Sequence, residues 1–382
     1  MNNNRIYLSS PHMGGLEKEY IKEAFDTNWI APLGKNVDEF ENEVLDYVKS
    51  KGALALSSGT SAIHLALKLL SISEGDYVFC SDLTFAASCN PILYEKGIPI
   101  FIDSEKDSWN MSYKALEKAF NFARENNKLP KAVIVVHLYG QSADMDNIKK
   151  ICDEYKVPII EDAAESLGAM YKGTMTGTIG KYGIYSFNGN KIITTSGGGM
   201  LISEDIESIN KARFLATQAR ENKPYYQHKE LGYNYRLSNV LAGIGRGQLR
   251  VLEDRIKKKK EIFCRYLDGF KKLKEISMMP IREYGSPNFW LSCIRINDNS
   301  KVNPKDIIDK LNEENIEARH IWKPMHMQPL YKKYMFFKEG DEAISEQIFK
   351  EGVCLPSDTK MTEEEQEKVI SLVRRVIYKE KV

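Results

Sequence analysis

Lys191 stands between Asn188-Gly-Asn190 and the triple glycine Gly197-Gly-Gly199, at the end of the run Tyr182-Gly-Ile-Tyr-Ser186-Phe-Asn-Gly-Asn-Lys191. A lone lysine after a strand is ordinarily a solvated side chain. Glycines on both sides, however, permit sharp turns and close backbone approach, and a lysine held that way can act as a nucleophile toward a carbonyl. Asp162 closes the apolar run Val157-Pro-Ile-Ile-Glu-Asp162 and is followed by Ala-Ala-Glu165. An acid at the C-terminal end of a parallel strand sits where open α/β sheets bind ligands, and a poorly solvated one needs a cationic partner. Its plainer reading is a cap on the next segment. Ser57-Ser-Gly-Thr-Ser61 marks a strand-to-helix turn. Helix N-terminal amides beside small hydroxyls suit a phosphate dianion, and Gly59 allows a close approach. The same residues also read as a glycine turn with an N-cap. Taken together, the three segments supply what pyridoxal 5′-phosphate (PLP) needs: a lysine for the Schiff base, an acid opposite the pyridinium nitrogen, and a cradle for the phosphate. No metal is expected.

These groups need a scaffold that brings them to one edge. The pattern predicts strands at Ala53–Ser57, Tyr77–Cys80, Ile98–Asp103, Ala132–Leu138 and Val157–Asp162, with more near Gly183–Phe187 and Met200–Ser203. Helices are predicted at Thr60–Leu70, near Ala86–Lys96, at Tyr113–Glu125 and at Asp144–Tyr155. Strands alternating with helices indicate right-handed crossovers and a mainly parallel sheet covered on both faces. A long helical stretch follows from Asn239 to about Leu273, and its run Lys257 to Lys260 reads as a solvated face. Shorter elements after about residue 275 suggest a smaller C-terminal α/β domain, so the chain divides into a large cofactor-binding domain with an N-terminal arm (1–250) and a small domain (251–382).

The remaining composition removes whole classes of function. In 382 residues, 54 Lys+Arg meet 53 Asp+Glu, for a net charge of +1, which gives no pull toward nucleic acid or anionic membrane. No run approaches the 18 or more apolar residues of a membrane span. Met1-Asn-Asn-Asn-Arg-Ile lacks the apolar core of a signal peptide. The six cysteines are scattered, without a C-x-x-C pair, and read as reduced, mostly buried thiols of a cytoplasmic protein. A Walker A loop is ruled out at Gly180-Lys181, because Met175 stands where the first glycine belongs and Tyr182 where the hydroxyl belongs. The Gly-rich loop of a dinucleotide-binding dehydrogenase is missing as well.

Glu161-Asp-Ala-Ala-Glu-Ser, Ser186-Phe-Asn-Gly-Asn-Lys and Gly232-Tyr-Asn-Tyr-Arg-Leu-Ser resemble the PLP-dependent sugar-nucleotide aminotransferases of the DegT/StrS group. The resemblance extends from Ser9-Ser-Pro-His-Met-Gly-Gly to Leu355-Pro-Ser. It implies the aspartate aminotransferase fold (PLP fold type I) and a homodimer with shared active sites. Asn28-Trp-Ile-Ala-Pro-Leu-Gly, Ile192-Ile-Thr-Thr-Ser-Gly-Gly-Gly-Met-Leu-Ile and Ala216-Thr-Gln-Ala-Arg-Glu are similar to the branch that makes UDP-N-acetylbacillosamine precursors. That branch moves the amino group of glutamate to C4 of UDP-2-acetamido-2,6-dideoxy-4-keto-hexose. The resemblance makes Lys191 the cofactor-bearing lysine and Asp162 the partner of the ring nitrogen. Glu165 then faces the ring hydroxyl, where relatives carry Gln or His. Gly59, Thr60 and Ser186 would cradle the phosphate, joined by Asn234 from the other subunit. Phe85 falls where a ring stacks on the cofactor, or else is plain core. Asn28, Trp29, Ile30 and Ala31, with Arg319, His320, Trp322 and Lys323, match segments that contact the nucleotide sugar. His326 is a further candidate there, or else a packed surface histidine. GDP-linked 4-keto and dTDP-linked 3-keto sugars are alternative substrates. A dehydratase of the same scaffold would carry His in place of Lys191, and a non-catalytic regulator would not need the complete Asp162/Ser186/Lys191 set.

Overall fold

The computed structural model describes residues 5–297 and 300–378. Its main sheet has eight strands in the order Gly52–Leu56, Gly199–Ser203, Tyr182–Ser186, Ile159–Asp162, Ala132–Val136, Tyr77–Ser81, Ile98–Ile102 and Phe336–Phe337. Gly199–Ser203 runs antiparallel to both neighbours, and all other pairs are parallel. Side chains alternate between two cores along each strand. Ala53 and Ala55 join one with Phe40, Tyr185 and Phe187, while Leu54 and Leu56 join the other with Ile63, Leu67 and Ile184. Because both faces are covered, the strands are continuous apolar runs. The C-terminal ends of Gly52–Leu56, Tyr77–Ser81, Ala132–Val136, Ile159–Asp162 and Tyr182–Ser186 all open on one edge, which delivers the chemically loaded turns to a single place.

Side-chain caps fix where the crossover helices begin. Ser112 Oγ accepts the Ala115 amide, and Asp144 Oδ1 accepts that of Asn147, so the helices start at Tyr113 and Met145. The region expected to be one helix from Ala86 to Lys96 is instead a 3₁₀ turn, Ala86–Ser88, and a short helix, Asn90–Tyr94. Pro91, which has no N–H, is accommodated in the first turn of that second piece. The long stretch after Asn239 likewise divides into Asn239–Leu249 and Leu252–Phe270, because Val251 leaves helical geometry (φ −110°, ψ 8°). A four-stranded antiparallel sheet follows, in the order Ile276–Met278, Ser292–Ile296, Gly352–Leu355 and Arg319–His320. The C-terminal region is not wholly separate, since Phe336–Phe337 pairs with Ile98–Ile102 at the edge of the main sheet. No described helix is long and apolar enough to cross a membrane.

Lys259 corrects the expectation of a solvated lysine face. Lys257 and Lys260 are exposed, but Lys259 is buried at 2% exposure. It lies on the apolar stripe of its helix, in helical register with Leu252, Ile256 and Phe263. Its Nζ donates to the carbonyls of Trp290 and Ser357, each at 2.8 Å. Burial pulls the ammonium down from 10.5 to about 7. The unfolded chain therefore holds this proton between pH 7 and 10.5 while the folded one does not. Stability from this group is smallest below pH 7 and rises with pH across that window. Urea unfolding of wild type and Lys259→Met should show their difference moving toward the wild type by a few kcal/mol from pH 7 to 10. A pH-independent difference would contradict this.

Candidate active site

The sheet edge opens into a cavity of about 490 Å³ lined by Gly59, Thr60, Phe85, Asp162, Glu165, Ser186, Lys191, Trp290, Arg319, His320 and Trp322, among others. At the Ser57–Ser61 turn the capping reading holds, and the first helical residues still line the cavity. Ser58 caps the helix Gly59–Leu69, its Oγ accepting the Ser61 amide at 3.0 Å, and Gly59 and Thr60 are left facing the cavity. A Cβ on Gly59 would lie 3.3 Å from that of Ser186, and one on Gly199 would lie 2.3–2.4 Å from the backbone of Ser58 and Gly59. The last glycine of the triple run is therefore required by the close approach of its strand to this turn.

Asp162 reaches the cavity from its strand end. Its Oδ2 accepts from Ser88 Oγ at 2.6 Å, its Oδ1 accepts from the Ala164 amide at 3.2 Å, and Ser88 is itself bonded to Thr84. The preceding Glu161 points away and is saturated by His137 and the amides of Gly177, Ile179 and Gly180. That anchorage fixes which of the two adjacent acids faces the cavity. Glu165 is buried, with Oε2 accepting the Tyr139 amide at 2.6 Å and Oε1 lying 3.7 Å from Lys191 Nζ. Burial pushes its carboxyl up to about 7, against the opposing pull of Lys191. Tyr139 holds a left-handed backbone (φ 51°), an uncommon conformation for a bulky residue and one that clusters at functional sites.

Phe85 is 60% exposed over the cavity, with its ring 5.7 Å from that of Trp322, so it is not a core residue. Arg319 lies at the rim, paired with Glu317. Other expected residues are not brought to this cavity. His326 is turned away: its Nδ1 meets Asp82 at 2.7 Å, its Nε2 meets Glu346 at 3.3 Å, and its ring stacks on Phe336. These bonds make it a tie between the C-terminal region and the main sheet and not a residue of the cavity wall. Lys323 is half-buried outside the lining. Asn28, Trp29, Ile30 and Ala31 are exposed, Trp29 lining a separate concavity with Asn36 and Asn239. Asn234 is exposed as well and absent from the lining. Sequence reasoning missed Ser88, Tyr139, Asn288 and Trp290. Tyr139-Gly140 at a strand end offered a signal; Pro287-Asn-Phe-Trp290 offered none, because its contacts come from distant chain.

The donor set suits PLP: a lysine amine, a buried acid already in a hydroxyl hydrogen bond, and helix amides with hydroxyls converge on one enclosed space. A mostly parallel sheet presenting that set at its edge defines a PLP enzyme of fold type I. The family model for the DegT/DnrJ/EryC1/StrS aminotransferases matches residues 11–374. EpsN of Bacillus subtilis (strain 168), a pyridoxal phosphate-dependent aminotransferase by name, is 56% identical over 98% of this chain and 96% of its own. GDP-perosamine synthase of Caulobacter vibrioides is 32% identical, with 98% of each chain covered. The UDP-4-amino-4,6-dideoxy-N-acetyl-β-L-altrosamine transaminase of Campylobacter jejuni is 34% identical over 79% of this chain and 80% of its own. The crystal structure of a family aminotransferase from Brucella abortus superimposes with a TM-score of 0.88 at 27% identity, covering 94% and 95% of the two chains. The chain belongs to the DegT/DnrJ/EryC1/StrS aminotransferase family, and it is a PLP-dependent sugar aminotransferase.

Proposed function

We propose that this enzyme moves the amino group of glutamate to C4 of UDP-2-acetamido-2,6-dideoxy-4-keto-hexose, yielding the UDP-4-amino sugar that precedes UDP-N,N′-diacetylbacillosamine. The observation that carries the reading is the rim of the cavity, where a guanidinium and an imidazole (Arg319, His320) stand beside two aromatic rings (Phe85, Trp322). A diphosphate needs N–H donors of this kind and a sugar ring suits the aromatic faces. The Campylobacter jejuni relative, named for a UDP-linked 4-amino-4,6-dideoxy sugar, supports the nucleotide and the position.

PLP, when bound, supplies a sink for the electron pair left as a C–H proton departs. Lys191 Nζ takes the proton from Cα of glutamate and, in the second half-reaction, delivers one to C4 of the sugar. Asp162 would hold the proton on the ring nitrogen, and Glu165 would serve the ring hydroxyl. Gly59, Thr60 and Ser186 would hold the phosphate, with Phe85 against the ring. In a cytoplasmic homodimer, Asn234 reaches that phosphate from the second subunit, and Asn28, Trp29, Ile30 and Ala31 contact the nucleotide sugar.

A second reading, a GDP-linked 4-keto sugar, is favoured by the Caulobacter vibrioides synthase, whose match spans more of the chain. Offering UDP- and GDP-linked 4-keto sugars and a dTDP-linked 3-keto sugar with glutamate separates these, with 2-oxoglutarate assayed and product geometry read by NMR. The UDP substrate should lead in kcat/KM by roughly tenfold to a hundredfold. Equal or better use of the GDP sugar, or amination at C3, would replace the proposal.

A further inference from the structure

We propose that Trp290 is a positioning residue for Lys191. Its ring face receives the ε-ammonium whenever that group is free of the cofactor, and its indole N–H fixes the loop from which the lysine projects. This rests on the reading of Lys191 as the cofactor-bearing lysine. Lys191 Nζ lies 4.1 Å from the Trp290 ring centroid, well inside the range of a cation–π attraction. Trp290 Nε1 donates to the carbonyl of Asn190, the residue next to Lys191, at 2.8 Å.

The indole is itself held from behind. Lys259 Nζ donates to the Trp290 carbonyl at 2.8 Å, and Asn288 Oδ1 accepts its amide at 2.9 Å. Asn288 Nδ2 in turn donates to the carbonyls of Glu165 and Leu167 at 2.8 and 2.9 Å. A single short segment thus ties down both the lysine loop and the turn that carries Glu165. The titratable groups facing this space are Glu165 and Asp162 from the sheet edge, Arg319 and His320 from the rim, and Cys354. Glu165 Oε1, at 3.7 Å, is beyond the 2.7–2.9 Å of a charge-assisted hydrogen bond. A carboxylate could also take the ammonium's proton. An aromatic face cannot, so it stabilises the cation while leaving its proton available for delivery.

The test uses apoenzyme and PLP alone, with the rate of covalent capture at Lys191 followed by absorbance against pH. The amine attacks as the free base, so losing the ring should move the capture profile to lower pH, and losing the N–H bond should lower its plateau. Trp290→Leu should shift the profile by roughly half to one pH unit and lower the plateau by roughly threefold to tenfold. Trp290→Phe, which keeps a ring face, should show the lower plateau with the wild-type profile. Wild-type plateau and profile in both variants, or identical shifts in the two, would overturn the proposal, as would changes confined to the melting temperature. The assay contains neither glutamate nor sugar nucleotide, so a failed substrate reading leaves it untouched. Borohydride mapping of wild-type capture tests the Lys191 assignment on its own.

Discussion

Lys191→Ala should lose essentially all turnover while PLP still binds noncovalently. Positioned proton transfer alone contributes roughly 10²–10⁴ in rate, and this one amine serves both half-reactions. Few other contacts depend on it. Its side chain is 12% exposed and meets Glu165, at 3.7 Å, and the Trp290 ring. Glu165 survives the loss of its cation because burial already favours its protonated form, so the variant should fold. Steady-state production of 2-oxoglutarate and equilibrium dialysis of PLP measure the two halves of the expectation. A small primary amine added to the variant should restore part of the rate through the vacated space. Substantial activity without added amine, or a borohydride tag mapped to another residue, would remove Lys191 from its role.

Asp162→Asn carries the second-largest expected effect, a fall in turnover of roughly 10²–10³-fold with PLP affinity changed far less. The substitution is nearly isosteric. The amide oxygen can still accept from Ala164, and Ser88, which now donates to Oδ2, can rotate to accept from the new NH₂ while keeping Thr84 as its partner. What disappears is the negative charge that keeps the ring nitrogen protonated, and that charge matters most when electron density moves into the ring. A drop in PLP affinity as large as the drop in kcat would instead make Asp162 a binding group.

The parts of this protein readable in advance are those set by local pattern. Apolar runs bounded by glycine and polar residues mark the sheet, and Asp162, Ser186 and Lys191 can be placed at its edge because each closes or follows such a run. Failures occurred where distant chain decides. Four consecutive lysines suggest a solvated face, whereas the helical register of Lys259 with Leu252, Ile256 and Phe263 puts it in the core. Trp290 carries no periodic or motif signal; its meaning arises only when Lys191, Lys259 and Asn288 surround it. His326 follows closely on the Arg319–Lys323 segment, which suggests substrate, whereas Asp82 and Glu346, far away in sequence, claim both ring nitrogens. Asn234 and the Asn28–Ala31 segment face solvent, and no local pattern in their residues says what would cover them.

Phe336–Phe337 pairs with Phe101 and Ile102, and that border strand is synthesised long after the one it covers. Until it arrives, the nascent sheet carries a bare ladder of amides and carbonyls, the kind of template that recruits stray strands. Vectorial synthesis therefore leaves a period of vulnerability to misassembly that closes only when Phe336–Phe337 reaches the edge beside Phe101 and Ile102.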